Sequence, residues 1–130
     1  LAAAGEDGAE RWLRTFEADS VTGLSVDTAG SARLLVQGVP STDFGGGPEG
    51  GTRPSPTWLV RLDLDGNRVW TRELHPWLEL DEFNMSAPHL ALAPDGTAWV
   101  LDTFAEPWSA GGTQLTPAGS TDVYLLELGP

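Results

Sequence analysis

The residues best suited to chemistry crowd into one stretch. His75, Trp77, Glu79, Asp81 and Glu82 fall within positions 75–82. Paired carboxylates can cleave a glycosidic bond, one giving a proton while the other attacks or activates water. Oxygen-rich clusters of this kind can also hold Ca²⁺. An indole beside them can stack on a sugar ring or a partner. Trp108 stands in a second long segment, and Asp43 opens a glycine-rich one, Asp43-Phe44-Gly45-Gly46-Gly47. All seven residues are ligand-binding candidates. The competing reading is simpler: an acidic loop solvated by water, and a loop indole that lids its own segment. A sequence carries no carboxylate separation, so it does not decide between them.

Other chemistries lack their parts. Asp63-Leu64-Asp65-Gly66-Asn67 begins like a Ca²⁺ loop but lacks the later ligands and the closing Glu. A hairpin turn explains it. His75 and His89 are the only histidines and form no ligand-spaced pair. There is no Cys and no G-x-S-x-G elbow, so nucleophilic catalysis has no obvious agent. Gly45, Gly46 and Gly47 lack the Lys and helix of a phosphate cradle. No catalytic residue, metal or cofactor is expected.

Charge narrows the partners. The 130 residues carry 19 acidic and seven basic side chains, a formal charge of -12. That repels nucleic acid and anionic lipid. No run approaches the ~20 apolar residues that span a bilayer. The absence of Cys leaves the redox compartment open. The chain opens on Leu1, and LAAAG lacks the basic leader and long apolar core of a signal peptide. It reads as processed or cut from something longer.

What positions these residues is a repeat. Short alternating apolar runs recur between Gly, Pro, Asp and Ser, and helical periodicity is nearly absent, which predicts an all-β domain. Arg11 to Phe16 matches Val69 to Leu74, and Leu24 to Asp27 matches Leu90 to Ala93. Ala32 to Val36 matches Ala98 to Asp102, and Trp58 to Leu64 matches Asp122 to Leu128. The copies lie 58, 66, 66 and 64 residues apart, in conserved order with slipping loops. Asp-Gly at 65–66 and 95–96 supplies tight hairpin turns, and Asp7-Gly8 is a third instance. Long connections at 39–57, 75–87 and 104–121 join the other strand ends. Trp12, Trp58, Trp70 and Trp99 sit in strands and are expected to pack.

A repeated four-stranded antiparallel unit of this kind describes a β-propeller blade. LSVDTAGSARLLVQG, DFGGGP, TWLVRLDLDGNRVWTREL and LALAPDGTAWVLDTF resemble the repeats of secreted bacterial propellers of the SBBP type. The resemblance covers nearly the whole chain, and its motifs are structural ones. It departs at Trp108-Ser109-Ala110-Gly111-Gly112, where the Asp-Phe-Gly start is lost, and residues 75–87 are an insertion. The resemblance implies one propeller-type region over residues 1–130. An outer strand would lie at 7–16, a full blade at 20–74, and a partial blade lacking its outer strand at 86–130. The strand at 10–16 has the type the partial blade lacks, and would complete it. Two blades close no ring, since propellers use roughly 4–8. A homo-oligomer completing one ring, or a piece of a longer chain, follows.

The function expected is a non-catalytic binding or scaffold module, secreted or at the cell surface, whose long loops meet a carbohydrate or protein. An enzyme acting on a polysaccharide through acidic loop residues near the channel is the alternative. An excised or designed fragment without activity of its own is a third.

Overall fold

The computed structural model describes residues 1–4, 7–51, 56–74, 88–110 and 112–129. Among them there is no helix, and eleven strands form four antiparallel sheets. A hairpin pairs β1 (Ala2–Ala4) with β2 (Glu10–Leu13). A four-stranded meander follows: β3 (Ser20–Val26), β4 (Ala32–Gln37), β5 (Thr57–Leu62) and β6 (Arg68–Glu73). A three-stranded meander comes next, from β7 (His89–Leu92), β8 (Ala98–Phe104) and β11 (Asp122–Leu128). Between its last two strands, β9 (Trp108–Ala110) and β10 (Thr113–Leu115) form a small hairpin. These strands close no ring among themselves.

The three main pieces stack face to face, with the four-stranded sheet in the middle. Leu34, Val36, Trp58, Val60 and Leu62 point to one side, where Trp12, Phe16 and Ala18 pack on them. Leu35 and Leu59 point to the other, into a core with Ala98, Val100, Phe104, Tyr124 and Leu128. Successive strand residues face opposite ways, so a strand covered on both faces needs an unbroken apolar run. ARLLVQ in β4 and TWLVRL in β5 supply such runs, and β4 is buried from Ala32 to Val36. Each large apolar side chain so covered contributes about 1.5–3 kcal/mol.

Meander connectivity sorts the loops by length. The turns at 27–31, 63–67 and 93–97 lie at one end of the sheets. The longer connections, described over 38–51, 105–110 and 112–121, lie at the other. Each turn is fixed by its own side chain. Asp27 Oδ1 accepts the Ala29 and Ser31 amides at 2.9 Å each. Asp63 Oδ1 accepts those of Asp65 at 2.9 Å and Asn67 at 2.8 Å. Gly66 then takes φ of 75°, a left-handed value that disfavours any side chain.

The N-terminal hairpin repeats the outer half of the central sheet to the residue. Ala3 faces Trp12 and Ala4 faces Glu10, with a register shift between Ala3 and Ala4. Moved by 58 positions, the same pairs are Arg61 with Trp70 and Leu62 with Arg68, with the shift again at that point. The strand expected over 7–16 is therefore shorter, Glu10–Leu13, and its partner is β1 rather than β11. Three alanines carry too little β propensity to announce that partner. Among the described residues nothing pairs with the outer edge of β11.

Candidate functional site

The long connections build the end of the molecule opposite the tight turns. In residues 38–51 the backbone is tied down by buried contacts. Thr42 is buried, and its Oγ1 accepts the Val39 amide at 3.1 Å. Phe44 is buried between Phe16 and Trp58, edge to face, with centroids 5.3 and 5.7 Å away. Glu49 pairs with Arg68 Nε at 3.3 Å and accepts the Thr71 hydroxyl, which clips the loop to β6.

Asp43 is exposed, but its carboxylate is occupied. Oδ1 accepts the amides of Gly45 at 2.7 Å, Gly46 at 3.0 Å and Gly47 at 2.9 Å. Those bonds favour the anion and hold its pKa below the ordinary value, with Arg68 adding to the effect. Asp43 thus shapes the loop, and only its second oxygen remains for a ligand.

Trp108 opens β9 and folds back onto the core. Its ring centre lies 4.7 Å from that of Tyr124, and it is half-buried with Leu115 beside it. Tyr124 is buried and donates to Asp102 Oδ2 at 3.4 Å. Burial pushes the Asp102 carboxyl up, against the Thr103 amide and the Tyr124 hydroxyl, which pull it down. Burial and Asp102 together push the Tyr124 hydroxyl up. Trp108 is therefore a partly covered side chain packed on the core. His75, Trp77, Glu79, Asp81 and Glu82 lie outside the described residues. Among the described residues no three His, Asp or Glu side chains converge as metal ligands would.

Two features escape the sequence patterns. Arg33 is fully buried between the sheets, opposite Arg61 in the register. Its Nη2 donates to the Gly96 carbonyl at 3.3 Å, and its guanidinium lies 5.2 Å from the Trp70 ring centre. Burial and the nearby Arg61 charge push its pKa down. An arginine in SARLLVQ reads as a solvent-facing residue of an alternating strand, and only the second sheet stacked over it makes it internal.

The second feature is an open cavity of about 330 Å³ lined by Trp70, Thr71, Arg72, Leu128 and Gly129. Its equivalent on the other side of the central sheet is filled. There Trp12 Nε1 donates to the Leu64 carbonyl at 2.9 Å, and the ring lies against Gly66. Arg14 reaches the Asp65 carbonyl at 3.4 Å and Asn67 Oδ1 at 3.3 Å. Trp70 and Arg72 match Trp12 and Arg14, and Leu128 matches Leu64. The repeated Trp-x-Arg is the signal in the sequence that points to this socket.

No family model, curated protein or solved structure matches the chain.

Proposed function

We propose that the chain is a non-catalytic binding or scaffold module built from two β-propeller-type blades, which presents its long-loop end to a carbohydrate or protein ligand. One observation carries this reading: every turn at one end of the stacked sheets is short, while the 38–56 and 105–121 connections gather at the other. Binding surfaces form where long loops stand on a rigid scaffold. The buried Thr42 and Phe44 and the Glu49–Arg68 pair hold the 38–51 loop in one shape, so a ligand meets a surface already ordered. The half-buried Trp108 gives that surface an aromatic contact. Placement outside the cell or on its surface rests on the likeness of the repeats to secreted propellers. The blades complete a ring with further copies, or with further blades of a longer chain.

The test is paired. Soluble oligosaccharides are titrated against the protein by calorimetry, and the same mixtures are assayed for new reducing ends. Binding without release is expected. Release of reducing ends would replace this reading with a polysaccharide-cleaving one.

A further inference from the structure

We propose that the free edge of β11 receives strand β2 of a second copy of this chain, in a register fixed by the repeat, with the turn at 7–9 of that copy filling the cavity beside Trp70. The inference rests on reading the chain as a set of repeated blades.

Three independent observations converge. The first is the socket. Trp70, Arg72 and Leu128 match the three residues that hold the 65–67 turn, yet they surround an open cavity. The second is its complement. Gly8 has φ of 77°, against 75° for Gly66. A Cβ built on Gly66 would lie 2.6 Å from the Trp12 ring, whereas one on Gly8 meets nothing within 4 Å. The same turn is therefore presented without the indole that covers its counterpart.

The third is the exposed apolar surface. Val21, Leu24 and Val26 are 54–57% exposed on β3, beside the Ala32, Leu34 and Val36 row that the N-terminal segment packs against. Leu101, Val123 and Leu125 are 41–66% exposed on the far face of the last sheet. Their counterparts already meet inside the chain. Leu90 and Leu92, which match Leu24 and Val26, pack against the core containing Leu35 and Leu59, which match Leu101 and Val123. The internal contact thus shows which surfaces fit together, and it pairs the two exposed ones.

The β2 strand of the same chain does not reach this edge. Within one chain β2 lies on one side of the central sheet and β11 on the other, and sheets stack about 10 Å apart. Transferring the β5–β6 register places Leu125 opposite Trp12, Tyr124 opposite Leu13 and Leu126 opposite Glu10. In the second copy, β11 of the first replaces β1, exchanging the side chains of three alanines for those of Tyr124, Leu125 and Leu126. Such a contact is head to tail, so it either closes a ring or runs on. Each chain carries a charge of -12, so copies repel and salt should favour assembly.

The test uses mass and cross-linking together. Light scattering in about 0.5 M salt, where screening is strong, should give a multiple of 13.8 kDa. Leu125→Glu alters a side chain already 62% exposed, so circular dichroism should stay unchanged. It should weaken association at least about tenfold, given what one buried apolar side chain contributes. Position 9 of one copy and 127 of another match Asn67 and Asp63, whose side chains meet at 3.3 Å. Mixing Ala9→Cys protein with Glu127→Cys protein should give a mixed disulfide in excess of either self-pair, against a background free of native Cys. A single-chain mass at every concentration overturns the proposal. So does association that Leu125→Glu leaves intact, or cross-linking with no preference for the mixed pair. The oligosaccharide titration reads the loop end separately, so failure here and failure there are distinct results.

Discussion

Trp12 and Leu64 are joined by one hydrogen bond, Nε1 to carbonyl oxygen at 2.9 Å, across 52 residues of sequence. The bond ends the stack on that side. It ties the N-terminal hairpin to the turn between β5 and β6, while the ring lies on Gly66. Replacing Trp12 separates the two contributions. Trp12→Phe keeps most of the ring and should cost about 1 kcal/mol, the net worth of one hydrogen bond. Trp12→Ala also uncovers the turn and part of the Leu62 and Val60 cluster, and should cost about 2–4 kcal/mol. Urea unfolding followed by circular dichroism would measure both. Equal losses would mean that the ring contributes nothing.

Gly66 and Gly8 offer a matched comparison, with nearly the same φ and opposite surroundings. Alanine at either position takes on left-handed backbone strain of about 1 kcal/mol. At Gly66 the new methyl group also meets the Trp12 ring, which has to move. Gly66→Ala should therefore destabilise the monomer by at least about 1 kcal/mol more than Gly8→Ala. If copies associate through β11, Gly8→Ala should in addition weaken that association, because its methyl group would meet Trp70. Urea midpoints and light scattering on the two variants read these effects apart.

Much of this architecture is legible in the sequence, for a physical reason. Alternation in TWLVRLDL and RVWTREL, with Asp-Gly between them, states both the strands and the turn. The whole meander from Ser20 to Glu73 follows from such segments. What stays hidden depends on neighbours distant in the chain. Ala2–Ala4 is a strand only because β2 lies beside it. Arg33 is internal only because the sheet containing β7 covers it. Trp108 reads either as a ligand contact or as a lid on its own loop until Tyr124 is placed against it. The repeat itself is visible, and it locates the cavity beside Trp70; the acidic stretch at 75–82 is the most obvious chemical signal and lies outside the described residues.

Acid should destabilise the fold through its turns. Asp43, Asp63 and Asp95 all have pKa values held below the ordinary value by backbone amides. Their stabilising contribution is complete above the unfolded value of about 3.8. It is lost as pH falls through the lower folded values. Asp102 has the opposite sign. Its folded pKa is raised by burial, so its contribution declines as pH rises from the unfolded value through the raised one. Melting temperatures across roughly pH 2 to 7 should therefore rise through the acid range. Asp102→Asn should gain on the native protein toward the upper end of that range. Asp63→Asn should flatten the acid limb. A profile unchanged by both substitutions would show that these carboxyls do not control it.

Arg33 provides a test of what holds the two sheets together. Its guanidinium is buried beside Arg61, and two of its three nitrogens, Nε and Nη1, find no hydrogen-bond partner among the described residues. Against this stand one bond to the Gly96 carbonyl, one contact with the Trp70 ring and the more distant pull of the Asp27 carboxylate. A buried cation with that balance costs more in lost hydration than it regains, and exchanging such a group for an apolar one of similar volume is often neutral or stabilising. Arg33→Met keeps a long stem over Trp70 and removes the charge. It should leave stability unchanged or raise it by about 1 kcal/mol. Val60→Ala on the opposite face of the same sheet should cost about 2 kcal/mol through the space it leaves. Arg33→Lys should be the worse of the two changes at position 33, because it keeps the charge and loses the planar contact with Trp70. Thermal unfolding of the three variants would rank them. A loss larger for Arg33→Met than for Val60→Ala would show that the Arg33–Gly96 bond, rather than apolar burial, governs how the central sheet meets the last one.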